Sequence, residues 1–216
     1  MASGPAALVS STRANTNYAR LCRLLIDIGT DVLRNIFNEF YPPRKLQKIL
    51  SPHSEQYGKL KQLKIKGVLN PILWEKLSTF SSAKFDIALL LVLLRNICGL
   101  GPPASTGSWN KPPLADDDSL EANMVRIKLI RNEVQGHAIK ASVDDSKFNK
   151  LWKEFSEVII GLASRKNKAS YTQAISKLKN VCMDPDAEAR YLRLLDDWKK
   201  YDDDTRKKLK GMMQNF

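Results

Sequence analysis

Long apolar runs are missing from this sequence; its most hydrophobic stretch, Ile87 to Leu94, is eight residues between Asp86 and Arg95. A membrane-spanning helix needs about 20 such residues, so the stretch reads as the middle of a core helix and no membrane partner is expected. Cysteine is scarce and odd in number. Cys22, Cys98 and Cys182 are scattered through apolar helical patterns, which points to reduced, buried thiols in an intracellular setting, cytoplasmic or nuclear, rather than a disulfide framework. With only His53 and His137, a histidine-based metal site is not expected, and neither is any other cofactor. The opening residues, Met1 to Thr16, carry no basic leader and only the short apolar run Ala6 to Val9. They are expected to form a flexible N-terminus rather than an export signal. A phosphate loop, a dinucleotide-binding glycine pattern and a nucleophile elbow are all absent, which disfavours most enzyme classes.

Positive charge, by contrast, is plentiful. Thirty-five Lys and Arg stand against 23 Asp and Glu, a net charge of +12. Such a field draws polyanions such as RNA, although the same charge also serves simply to keep a protein in solution. At 216 residues the chain can bury one full hydrophobic core without a metal or disulfide staple.

Helical spacing dominates that core. Leu21, Leu24, Leu25, Ile28, Val32, Ile36 and Phe40 recur at three and four, which predicts one helix from Asn17 to Phe40, ended by Pro42-Pro43. Two short helices broken near Pro52 are expected between Arg44 and Lys66, and Pro71 fits the first turn of another. Ser81 or Ser82 is the expected cap of a central helix from Lys84 to Cys98, with Asp86 in its first turn. The residues from Gly99 to Asp118 hold Gly101-Pro102-Pro103, Trp109 and Pro112-Pro113, and read as a long loop fastened back by its tryptophan. Asp118 or Ser119 caps a helix with Leu120, Met124, Ile127, Ile130 and Val134 on one stripe. Phe148, Leu151, Trp152, Phe155, Val158, Ile159 and Leu162 make the clearest face of all. The resulting expectation is an all-α antiparallel bundle over 17–164, with a helical extension over 165–216. In that extension a helix through Tyr171, Ile175 and Leu178 is expected to pair with one through Leu192, Leu195, Trp198 and Tyr201.

One stretch carries the residue types of a reactive site, Arg131-Asn132-Glu133-Val134-Gln135-Gly136-His137. At about 100° per residue, His137 falls in line with Ile130 and Arg131 lies at the edge of the buried stripe. The two are about 120° apart on a continuous helix, so they meet only if Gly136, in the left-handed conformation, turns the chain back. The plainer alternative makes Gly136 a helix cap and His137 a capping or core histidine.

Arg131-Asn132 followed after four residues by His137 resembles the arginine to histidine motif of HEPN domains. More specifically, Leu94-Arg95-Asn96-Ile97-Cys98-Gly99-Leu100, then Trp109, Pro113, Asp118, Arg126-Ile127-Lys128, Arg131-Asn132 and Gly136-His137, with Phe148 and Trp152 beyond, is similar to the HEPN domain of the DAZ-interacting RING ubiquitin ligases. The likeness covers roughly Asn17 to Ser164. It includes no RING cysteines or histidines, so ligase activity would have to lie in another part of a longer protein.

What this resemblance implies is divided. Many HEPN domains are metal-independent endoribonucleases in which a homodimer brings two such motifs into one cleft; others bind RNA or protein partners, or oligomerise, without catalysis. In the first case Arg131 holds the phosphate, His137 acts as general acid or base and Asn132 orients them; an ordinary histidine pKa of ~6.5 suits that work. Arg95 is either part of the same cleft or a structural salt bridge. With Arg126 and Lys128, and with Lys61 and Lys64 from the basic Arg44 to Lys66 stretch, it completes the expected RNA contacts, where Tyr57 could stack on a base. The competing reading of the basic stretch is a solvated surface, and that of the whole chain a non-catalytic dimerising adaptor.

Overall fold

The structure, a computed structural model, describes residues 12–138, 140–180, 191 and 193. Regular structure among them is helical throughout. In order come α1 (Arg13–Arg23), a π-helical segment (Leu24–Gly29), α2 (Thr30–Phe40), α3 (Leu46–Ile49), α4 (Glu55–Ile65), α5 (Pro71–Ser78), α6 (Ile87–Ile97), α7 (Leu120–Gly136), α8 (Asp145–Leu162) and α9 (Lys168–Asn180). This is the expected all-α bundle. Of the expected flexible N-terminus, Met1 to Thr16, residues 1–11 lie outside the described residues, while Arg13 to Thr16 already belong to α1; the closing helix expected around Leu192, Leu195, Trp198 and Tyr201 also lies outside them.

Helix α1 starts at a capping box. The Thr12 hydroxyl accepts from the Asn15 N–H at 3.3 Å while the Asn15 amide oxygen accepts from the Thr12 N–H at 3.2 Å, so two donors at the helix start are satisfied reciprocally. The predicted single helix from Asn17 to Phe40 is present but contains a π turn. Inside that turn Gly29 lies under the Phe155 ring: a Cβ on Gly29 would sit 2.8 Å from Phe155 Cζ. Only glycine lets α8 approach this closely.

α6 is buried over most of its circumference, with Leu89, Leu90, Leu93 and Leu94 fully inaccessible and the line of Ala88, Val92 and Asn96 reaching the surface, and it is the central helix the periodicity predicts. Its start differs from expectation. Phe85, extended and buried, interrupts the chain after a 3-10 turn at Ser82–Lys84, and Asp86 rather than a serine is the cap, accepting from the Leu89 N–H at 2.9 Å. Its carboxylate also pairs with Lys76. A carboxylate suits this position because it meets both the orphan N–H groups and the positive end of the helix dipole. At α5 the cap is Asn70, with Pro71 in the first turn.

α7 and α8 pack side by side, and α1 lies across both. On α9, Tyr171, Ile175 and Leu178 are buried in the same apolar cluster as the earlier helices. Tyr171 donates its hydroxyl proton to the Asp31 carboxylate at 2.7 Å and accepts from the Asn35 amide at 2.6 Å. Further along, Tyr191 donates to Asp27 at 2.7 Å. Two phenols thus fasten α9 and Tyr191 to one edge of the first long helix.

Candidate functional site

The arginine to histidine motif occupies the last two turns of α7, a helix capped at its start by Ser119. Ile127, Ile130 and Val134 face the core and carry Arg131 inward with them, leaving it 7% exposed. Its guanidinium donates to the neighbouring Asn132 amide oxygen, from Nη2 at 3.0 Å and Nε at 3.4 Å. Arg131 and Asn132 therefore form a unit. One turn later on the same face is Gln135, buried, with its Nε2 lacking an acceptor among the described residues. Nothing in its residue type or spacing singled out Gln135 beforehand; an amide becomes informative only once burial strips it of water.

Gly136 does not turn the chain back. It ends α7 without a left-handed backbone, which among the described glycines occurs only at Gly67, Gly99 and Gly107. His137 follows in right-handed geometry at φ −87°, ψ −3°, and the helical path is prolonged by bonds from the His137 and Ala138 N–H groups to Val134 and Gln135. The reversal comes later, at Ala141 (φ 46°). Of the two readings of this stretch the structure has the plainer one, a helix end with His137 as the capping residue, and six residues of helix separate Arg131 and His137 by about 120° and roughly 9 Å along the axis. His137 is half-buried, and its side chain has no hydrogen-bond partner among the described residues.

Three other expected RNA contacts are engaged elsewhere. Arg126 donates to the Asp117 carbonyl at 2.6 Å, the Leu114 carbonyl at 2.7 Å and the Asn123 amide oxygen at 3.0 Å. Lys128 reaches Asn110 Oδ1 at 2.7 Å and the Trp109 carbonyl at 3.3 Å. The Arg95 guanidinium stacks 4.9 Å from the centre of the Trp109 ring. Its Nε is buried without an acceptor among the described residues and burial lowers its pKa; of the two roles expected of it, the salt bridge is not made among the described residues. All three side chains hold down the long loop between α6 and α7. Prolines deprive that loop of N–H donors while leaving every carbonyl, so cationic side chains supply the missing partners. Asp117 anchors the loop from within: hydrogen bonds from Ser105 and Ser119 hold its pKa down at about 2.

Lys61 and Lys64 are placed differently. They project from α4 as exposed side chains, and Arg44, Lys45, Lys48, Lys59 and Lys66 of the same stretch are exposed as well. The one acid of this stretch, Glu55, is paired with Lys59 at 2.8 Å. Lys64 Nζ lies 4.3 Å from the centre of the Trp74 ring, which in turn meets Tyr57 edge-on at 5.7 Å between centroids. Both rings are partly exposed, and Ile65 beside them is 67% exposed. Trp74, from α5, thus completes an aromatic pair beside Lys64. Among the described residues no cluster of His, Cys, Asp and Glu is arranged to hold a metal.

A family model described as DZIP3/hRUL138-like HEPN matches residues 43–191, a span that runs from the basic stretch through the α7 motif to the tyrosine on Asp27. The chain belongs to this HEPN family. Among curated proteins, it is 26% identical over 172 residues to the human E3 ubiquitin-protein ligase DZIP3 and 25% identical over the same length to that of mouse. Each alignment covers 77% of this chain and 14% of the relative, so this HEPN chain spans about a seventh of the length of the curated proteins it matches. No solved structure matches it. No helix among the described residues is long and apolar enough to cross a membrane.

Proposed function

We propose that this HEPN chain is an RNA-directed module that works as a homodimer, in an intracellular setting. The observation that carries the reading is the stretch from Arg44 to Lys66: seven exposed cations, one acid already paired, and the Tyr57–Trp74 pair with Lys64 against it. Phosphates are drawn by the cations and bases stack on the rings, the usual division of labour in single-strand binding. On this reading Lys61 and Lys64 contact RNA. Arg95, Arg126 and Lys128 contribute by shaping the loop that borders α7.

Cleavage, if the module performs it, is internal transesterification. The 2′-hydroxyl attacks the adjacent phosphorus, the 5′-oxygen leaves with a proton, and a cyclic phosphate remains. His137 moves the proton, Arg131 neutralises the phosphate and Asn132 orients the arginine. Their separation along α7 means that a complete set requires two copies, with His137 of one facing Arg131 of the other. A second reading, the non-catalytic adaptor, is favoured by the burial of Arg131 and its engagement with Asn132, features that also suit a side chain holding an interface. The deciding experiment incubates wild type and His137→Ala with single-stranded and hairpin RNA in EDTA, with light scattering on both. Cleavage lost in a variant that remains dimeric supports the ribonuclease. RNA bound but uncut by both leaves binding alone, and neither bound nor cut supports the adaptor.

A further inference from the structure

A cleft of about 480 Å³ opens between α7, α8 and the loop that precedes α7, lined by none of the cations or rings proposed to touch RNA. Its floor is apolar, made by Leu129, Ile130 and Val158, and Pro112 and Pro113 form one wall. Around it stand four carboxylates, Asp118, Glu133, Glu154 and Glu157, with Arg126 the single cation of the lining. The Arg126 guanidinium is turned onto the loop carbonyls of Leu114 and Asp117. Of the carboxylates, Glu154 and Glu157 pair with lysines one turn away at 3.9 and 4.0 Å, and Lys147 also lies near Glu154, but the two pairs are too long and exposed to neutralise them. Glu133 is held by Lys147. In a chain of net charge +12 this is a local reversal of sign over an apolar floor. It disfavours phosphate and favours a cation carried on an apolar body.

We infer that this cleft docks a basic amphipathic segment of a partner protein, seating one apolar side chain on Leu129, Ile130 and Val158 while its lysines or arginines meet Glu154, Glu157 and Asp118. The volume lies within the range of about 300–1,000 Å³ typical of ligand pockets, enough for a few side chains. At the end of the floor is Gly161, where an added Cβ would come within 3.4 Å of the Asn123 amide nitrogen, so a large side chain there projects into the space. The inference stands independently of the RNA reading. To test it, a fluorescein-labelled peptide of leucine and lysine at helical spacing is titrated by anisotropy into the full chain, with oligolysine of equal charge as control. Glu154→Lys/Glu157→Lys is expected to weaken the peptide about tenfold, since attraction is replaced by repulsion at two points. Gly161→Leu, which fills the cleft without altering charge, should weaken it similarly, with circular dichroism showing both variants folded. Oligolysine should bind much less tightly than the amphipathic peptide. Equal binding by wild type and variants, or by the two peptides, overturns the assignment. So does a wild-type dimer that becomes monomeric in the Glu154→Lys/Glu157→Lys variant, because a second copy would then be the occupant.

Discussion

Replacing Arg126 with methionine separates two roles that a cation can have in this chain. The arginine makes two short bonds to loop carbonyls, at 2.6 and 2.7 Å, and a longer one to Ala115 at 3.4 Å. A charge-assisted hydrogen bond contributes roughly 1.5–3 kcal/mol, but these carbonyls are accessible enough for water to replace much of the loss, so about 1 kcal/mol for each short bond is reasonable. The loop should then open about 30-fold more readily, the equivalent of about 2 kcal/mol. Hydrogen exchange reads this at Asp117 and Gly107, whose N–H groups bond to Leu114 and Pro103 inside the loop. Protection there should fall about 30-fold, while amides of α6 and α8 keep theirs. The same variant is compared with Lys61→Met for salt dependence of RNA affinity. Each phosphate-contacting cation contributes about one unit of slope in log affinity against log salt. Lys61→Met should therefore lower the slope by about one and Arg126→Met should leave it unchanged. Unaltered exchange in Arg126→Met, or an equal loss of slope in both variants, refutes the assignment of Arg126 to the loop.

Gly29→Ala should destabilise the fold by about 1–3 kcal/mol through the 2.8 Å approach to Phe155, and adding Phe155→Leu should reduce that penalty in a chemical-denaturation cycle. Asp117, held at about 2 in the folded chain against an ordinary 3.8, stabilises the loop above the ordinary value and loses that contribution as pH falls from about 4 through about 2. Tryptophan fluorescence should report loosening of Trp109 in that window, and Asp117→Asn should abolish this pH dependence. Burial pushes the Cys98 thiol up to about 12 and Cys22 is fully inaccessible. A Cys182→Ser variant should accordingly show no fast-reacting thiol toward a disulfide reagent at pH 8 until denaturant is added.

Much of the bundle is legible in the sequence because burial imposes a period. The apolar circumference of α6 and the stripe of α8 could hardly belong to anything but buried helices, and Pro71 marked the start of α5. Less legible was whatever depended on neutral partners distant in sequence. Arg95, Arg126 and Lys128 look like phosphate contacts because charge is visible in a sequence, whereas the carbonyls and the indole that engage them belong to a loop of unforeseeable path. At Gly136 the sequence left two readings open, a reversal and a plain helix end. Glycine permits a left-handed turn without requiring one, and here the helical bonds continue past it until Ala141. The start of α6 moved to Asp86 because Phe85 is worth more buried and extended than in a helical turn.

The π turn between α1 and α2 amounts to one surplus residue in an otherwise α-helical rod. A single added residue rotates everything beyond it by about 100° and advances it by about 1.5 Å. The two halves of the rod can therefore look in different directions, the first toward α7 and α8 and the second toward α6. Removing one residue from Leu24–Gly29 would leave a more regular helix with a misdirected second half, swinging Val32, Leu33, Ile36 and Phe37 away from the neighbours that now cover them. In this stretch the length of the chain, more than the identity of any one side chain, keeps the two halves of the core in phase.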